Sequence, residues 1–587
     1  MKPKGFNSIL LAATLALLLA LLVPLAGCGS LSRIVDEPAP PRESAAPAEL
    51  TNLMRQGENY EGIELFHGSW DEPRYTEDKQ GYFYEERGWI YLHLAGGPAE
   101  RGSQHGWLLA DYVERNVDYH KTLIASRYAL DWEYLRTHAE RLWTGKVSEE
   151  LKAELEGIVA GAARRGASFD YLDLLVLNGL DDLRSGWFGT AQEQYYQELA
   201  QGLWEAPSAD GEPADASGEA EAASAAGSLP HPTENAGLTG AINGSPRDTS
   251  AEPGETGESS GFTRPGGMIK QASALLATGS ATEDGKLVLA HNTLIPYEDA
   301  NFSNVMIDVE PREGQRFTMQ AAPGFVHSVA EAYTTESLLI ANTPIAGFNR
   351  YSEEGTPEFL RIRQAVQYAR TLDEFTQTMV DDVGGGLASS WLVGELATGE
   401  IMELELGLAF YNEERTSDGC FISFDGVDDS RILRYETDGR GYTDTRQSAG
   451  ARYVRLGELV GRYQGELTPE LAQDIISDHY DVYLQKARAS SRTICAHYDT
   501  DNAELSTDPA VAPYMPYGTV DATVMSTALA EEHTILARWG SACGRAFDST
   551  SFLSRNPQYA SLRDYLFDRP AQAWASLYPL AAPPSSA

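Results

Sequence analysis

Cysteine is scarce: 587 residues contain four, at Cys28, Cys420, Cys495 and Cys543. No CxxC pair or local Cys/His cluster is present, so spacing suggests no metal site, and no cofactor is expected. Outside a cell Cys495 and Cys543 are free to pair; two buried free thiols fit the sequence as well. Positive charge is the second shortage. Lys and Arg total 45 against 86 Asp and Glu, for a net charge of −41. Such a surface repels phosphate backbones and anionic lipid, which argues against a nucleic-acid partner. Large apolar residues are almost missing from 205–265, where Ala, Gly, Ser, Pro, Glu and Thr dominate. That stretch cannot bury enough surface to offset its ordering entropy, so disorder is expected there. Within it, Gly257-Glu258-Ser259-Ser260-Gly261 fits the G-x-S-x-G pattern but lacks the strand before it and the helix after it that a nucleophile elbow requires.

One long apolar run is present, at the start. Lys2 and Lys4 precede residues 9–25, which end in Leu25-Ala26-Gly27-Cys28. A basic region, a short apolar run and small residues before a cysteine form an export signal of the lipoprotein type, so Cys28 is the expected lipidation site. Its removal as a leader would take Lys2 and Lys4 with it and make the mature chain more acidic. Acyl chains on Cys28 would hold the protein to the extracytoplasmic face of a bacterial membrane, each buried methylene contributing about 0.8 kcal/mol. The expected organisation is a signal peptide at 1–28, a tether at 29–50, a mainly helical part at 51–204, the low-complexity insert at 205–265, and a core at 266–587.

The core is organised around residues 271–293. Ala272-Ser273-Ala274-Leu275-Leu276-Ala277-Thr278 and Lys286-Leu287-Val288-Leu289-Ala290-His291-Asn292 flank Thr282-Glu283-Asp284-Gly285. Two apolar runs around an Asp-Gly predict a hairpin, and their lack of alternation predicts cover on both faces. Further strands are expected at 82–94, 305–309, 317–321 and 338–341, with a second hairpin from 390–394 to 400–406. Helices are expected at 132–163, 171–183, 359–368, 372–379, 453–463, 467–483 and 523–538. Helices, then strands, then helices indicate a layered α+β fold.

Several segments, in order, resemble the peptidase C45/phospholipase B-like group: RGSQHG (101–106), ASALLATGSATEDGKLVLAHNT (272–293), EEGTPEFLRIRQAVQYA (353–369), SSWLVGELATGEIMELELG (389–407), SSRTICAH (490–497) and PYGTVDA (516–522). The resemblance implies an Ntn-hydrolase αββα sandwich. It also implies a chain that cleaves itself before a nucleophilic cysteine, whose freed α-amine then acts as base on linear amides or acyl groups. The family's nucleophile position falls on Ala272, which has no attacking group. Ser389 stands where the family has Asn, and Asn342 where it has Glu. His291, Asn292, Arg492 and His497 match. The expected catalytic set is therefore Ser273, in place of the missing cysteine, with His291, Asn292 and Arg492; Arg101, His105, Ser389 and His497 are expected to line a binding site. Strand alternation turns Ser273 to the face opposite Ala272. Two functions remain open: hydrolysis of a small acyl or amide substrate, or an inactive member that binds a small acyl or peptide ligand or serves as a scaffold.

Overall fold

A computed structural model describes residues 72–201, 203–204, 270–439, 442–506 and 511–581. Cys28, the tether, the insert at 205–265 and the 257–261 pattern lie outside them. Among the described residues no helix is long and apolar enough to cross a membrane.

Eighteen strands form in the described residues: β1 (Arg74–Tyr75), β2 (Tyr82–Glu86), β3 (Trp89–Gly96), β4 (Gln271–Thr278), β5 (Val288–Pro296), β6 (Val305–Pro311), β7 (Phe317–Ala321), β8 (Ala332–Thr335), β9 (Leu338–Pro344), β10 (Ser389–Glu395), β11 (Ile401–Leu406), β12 (Tyr411–Thr416), β13 (Gly419–Ser423), β14 (Tyr480–Asp481), β15 (Lys486–Ala487), β16 (Tyr517–Ser526), β17 (Ile535–Trp539) and β18 (Ala575–Leu577). Ten make one sheet in the order β1-β2-β3-β6-β7-β8-β9-β10-β11-β12, and six make a second in the order β13-β4-β5-β16-β17-β18. The pair β3–β6 is parallel, joining Ile90 to Val305 and Leu94 to Val309 across the 205–265 insert.

The expected central hairpin is β4–β5, with Ala272 opposite Thr293, Ser273 opposite Asn292 and Ala274 opposite His291. Its alternation sorts two layers of core, because successive side chains leave a strand on opposite faces. Ala274 and Leu276 pack with Leu339, Ala341 and Leu392 of the large sheet. Leu275 and Ala277 pack with Leu456, Leu459, Ile475 and Ile476, carried by the helices Ser448–Arg462 and Pro469–Ile476. The outer face of the large sheet, including Leu92, Ile307 and Val393, packs under Val113, Leu155 and Leu174 of the N-terminal helices. The fold is mixed α and β, with two large sheets packed face to face and helices on both outer sides.

RGSQHG sits inside the helix Pro98–Leu108. Its glycines explain the motif. A Cβ on Gly102 would meet the carbonyl of Glu154, and one on Gly106 the carbonyl of Ile158. The helix Glu149–Ala163 therefore approaches backbone to backbone, and Gly161 meets Ser103 in the same way.

Three helix expectations need correction. Residues 523–538 are not one helix: β16 runs to Ser526, Thr527–Glu531 is a single short helix, and β17 follows. Thr523 and Val524 favour extended backbone, and pairing on both sides of β16 outweighs the helical tendency of the Ala-Leu-Glu run. The helix expected at 467–483 stops at Ile476, with β14 after it, and 132–163 divides into Trp132–Trp143 and Glu149–Ala163.

Candidate functional site

A cavity of about 120 Å³ opens where β4 begins, between the two sheets and the N-terminal helices. The register builds one wall. Thr293 pairs with Ala272 on one side and with Asp521 on the other, and directly paired side chains stand on the same face. Thr293 and Asp521 both line the cavity, and Ala272 stands beside them on the same face of the sheet, just behind the lining residues. Burial pushes the Asp521 carboxyl up to about 6, although the Thr293 amide donates to it at 3.2 Å.

The opposite wall carries His327, Glu331, Asn342, Glu358 and Ser389, and Lys270 sits at the strand entrance. Lys270 Nζ lies 3.8 Å from Glu331 Oε1, and His327 Nδ1 lies 3.9 Å from the same oxygen. Glu331 also accepts from Tyr333 Oη at 2.8 Å. It is buried with φ at 56°, a costly backbone state for a non-glycine residue that clusters at functional sites. Burial raises its carboxyl, and burial together with the Glu331 charge raises that of Glu358. Burial pushes His327 down to about 4, so it is neutral near pH 7. Phe302, Phe325, Leu177 and Ile295 give the cavity an apolar side.

The expected site residues divide between this cavity and other places. Ser389 lines it and donates to Glu358 Oε2 at 3.0 Å. His291 is buried one layer behind, its Nε2 lying 2.9 Å from the backbone oxygen of Asn342. Burial, helped by the Lys270 charge, pushes it down to about 3. Ser273 points the other way, toward the helices, where Arg452 Nη1 donates to its Oγ at 2.9 Å. Asn292 braces that side: its Oδ1 accepts from the Ser273 amide at 3.1 Å, and its Nδ2 donates to the carbonyls of Ile494 and Ile476 at 2.9 and 3.2 Å. Arg452 also donates to the Ala272 carbonyl and pairs with Asp425, while the Ala272 amide donates to Asp425 at 2.7 Å. Both peptide groups of Ala272 are thus held by one buried ion pair.

Arg492 is buried away from the cavity, 2.8 Å from Asp481. Arg101 bridges two helices through Glu154 at 2.5 Å. His105, which burial pushes down to about 4, accepts from the Gly324 amide at 3.0 Å. His497 lies beside Cys495, 3.4 Å away. None of these four lines the cavity. Asp521 and Glu358 stand inside two of the quoted motifs, and the signal for Asp521 was a lone carboxylate in the apolar run Val520-Asp521-Ala522. Lys270, His327 and Glu331 carry no comparable local mark.

Compared with protein-family models and with curated proteins, the chain matches none.

Proposed function

We propose that this protein is an exported lipoprotein with an Ntn-hydrolase-like αββα sandwich of the C45/phospholipase B-like type, which binds a small acyl or peptide ligand without cleaving it. The layer order and the ordered motifs support the fold assignment. The observation that carries the function is Ala272. A methyl group stands at the family's nucleophile position, on the same face of β4 as the cavity-lining Thr293 and Asp521, and it carries no atom that can attack a carbonyl. Loss of a nucleophile typically lowers turnover by about a million-fold. Ser273 offers no replacement, because its hydroxyl is bonded to Arg452 on the far face of the strand.

The cavity's charges narrow the ligand. Arg184 is matched by Asp299 at 3.3 Å and Lys270 by Glu331 at 3.8 Å, leaving Asp181, Glu358 and Asp521 as the excess among the lining residues. An apolar wall facing excess carboxylates suits a ligand with an ammonium group beside a hydrophobic body, such as a short peptide with a free N-terminus. Calorimetry with a short apolar peptide is expected to show binding that N-acetylation weakens at least tenfold, with no hydrolysis product. A mature fragment beginning at Ser273, or turnover abolished by Ser273→Ala, would restore the hydrolase reading.

A further inference from the structure

Four side chains that the proposed function does not use converge on one point. His479, Cys495, His497 and Cys543 each place a ligand atom within 4.8 Å of all the others. We propose that they form a tetrahedral two-cysteine, two-histidine site for zinc. His497 Nε2 lies 3.4 Å from Cys495 Sγ and 3.5 Å from Cys543 Sγ. In a tetrahedron with Zn–S near 2.3 Å and Zn–N near 2.0 Å, the N···S edge is about 3.5 Å. The two observed separations are therefore those of an assembled site, needing only small movements around an ion.

Local structure explains the convergence. Cys495 and His497 are two apart around Ala496, whose amide and carbonyl are tied to Thr519, which fixes the bend from which both side chains reach the cluster. His479 follows the helix Pro469–Ile476, and Cys543 follows β17. The second layer has the form that zinc histidines use. His497 Nδ1 faces Asp499 at 3.7 Å, and Tyr297 Oη donates to the same carboxylate at 3.0 Å; such a carboxylate fixes the ring and aims the other nitrogen at the metal. Cys495 and His497 are buried, and His479 Nε2 is buried without a hydrogen-bond partner. Sulfur and imidazole ligands select zinc over magnesium or calcium, and four protein ligands leave no open position, as in structural rather than catalytic zinc sites. The ion would clamp the segment whose Ile494 carbonyl holds Asn292, and so stiffen the support behind β4 and β5.

The test uses the full chain purified without chelators. Elemental analysis and native mass are expected to show one zinc per chain, and replacement with Co²⁺ is expected to give the sulfur-to-metal charge-transfer band of a thiolate site. Cys543→Ser and His479→Asn should each lower the bound metal at least tenfold, while Cys420→Ser should leave it unchanged. Wild-type protein stripped by chelator should regain one Co²⁺ per chain, a readout that depends on no variant. A metal-free chain lighter by two hydrogens, showing a Cys495–Cys543 disulfide, would overturn the proposal. Free thiols that take up neither Zn²⁺ nor Co²⁺ would do the same.

Discussion

Replacing Asp521 with Asn isolates the electrostatic character of the cavity wall. The carboxyl is buried, and burial lifts it from an ordinary 3.8 to about 6. A raised value means that the native state holds the proton more tightly than the unfolded chain does. The resulting stabilisation is complete below pH 3.8, declines as pH rises, and is gone above about 6. At about 1.4 kcal/mol per pH unit, the ionised side chain then costs roughly 3 kcal/mol. Asn retains an oxygen to accept from the Thr293 amide, 3.2 Å from Asp521 Oδ1, and carries no charge. In urea unfolding across a pH series, Asp521→Asn is expected to exceed the wild type by about 3 kcal/mol at pH 8, narrowing to about 1 kcal/mol near pH 4.5. A gap that does not change with pH, or a wild type more stable above pH 6, would refute the reasoning. The same substitution is expected to weaken an ammonium ligand at least tenfold, so the variant should be more stable and a poorer binder.

Other consequences are open to direct measurement. Intact mass of protein purified with protease inhibitors is expected to show no cut before Ala272 or Ser273; a fragment starting with Ser273 would contradict this. Arg452→Met should destabilise the fold by about 3–5 kcal/mol by stranding buried Asp425, and adding Asp425→Asn, which removes the charge but keeps an acceptor for the Ala272 amide, should recover part of the loss; chemical denaturation of both variants checks this. Gly106→Ala should cost several kcal/mol, since the added methyl has nowhere to go against the Ile158 carbonyl, and a melting temperature equal to wild type would count against that packing. Proteolysis confined to 205–265 should leave two fragments that co-elute without denaturant, because β3 and β6 pair across the cut; fragments that separate would show two independent domains.

Much of the fold was legible because its signals are local. The hairpins β4–β5 and β10–β11 show in the sequence as apolar runs around Asp284-Gly285 and Thr398-Gly399, and both glycines hold a positive φ. The stretch at 523–538 misled because Ala528, Leu529, Ala530 and Glu531 favour helix, whereas the pairing that holds Thr523 and Val524 extended comes from residues far along the chain. The candidate site was only partly legible for the same reason. Ser389 and the Ala272 position were found within motifs, but Glu331, His327 and Lys270 meet through tertiary packing alone. Arg492 and Arg101 looked like ligand-binding cations, yet both are spent on buried carboxylates, Asp481 and Glu154. Sequence shows a charge but not the partner that neutralises it.

The parallel pair β3–β6 also sets the order in which the protein can assemble. His93 and the Asp308 that it contacts at 2.6 Å are 215 residues apart, so β3 emerges from the ribosome long before its neighbour exists. Until β6 arrives, the inner edge of the β2–β3 hairpin and the apolar undersides of the N-terminal helices have no sheet to cover. Closing a loop of that length costs only a few kcal/mol more than closing a short one, so the obstacle lies in time rather than in final stability. A chain whose first half must wait for its second has an extended period in which a holding chaperone would matter more than the depth of its native minimum.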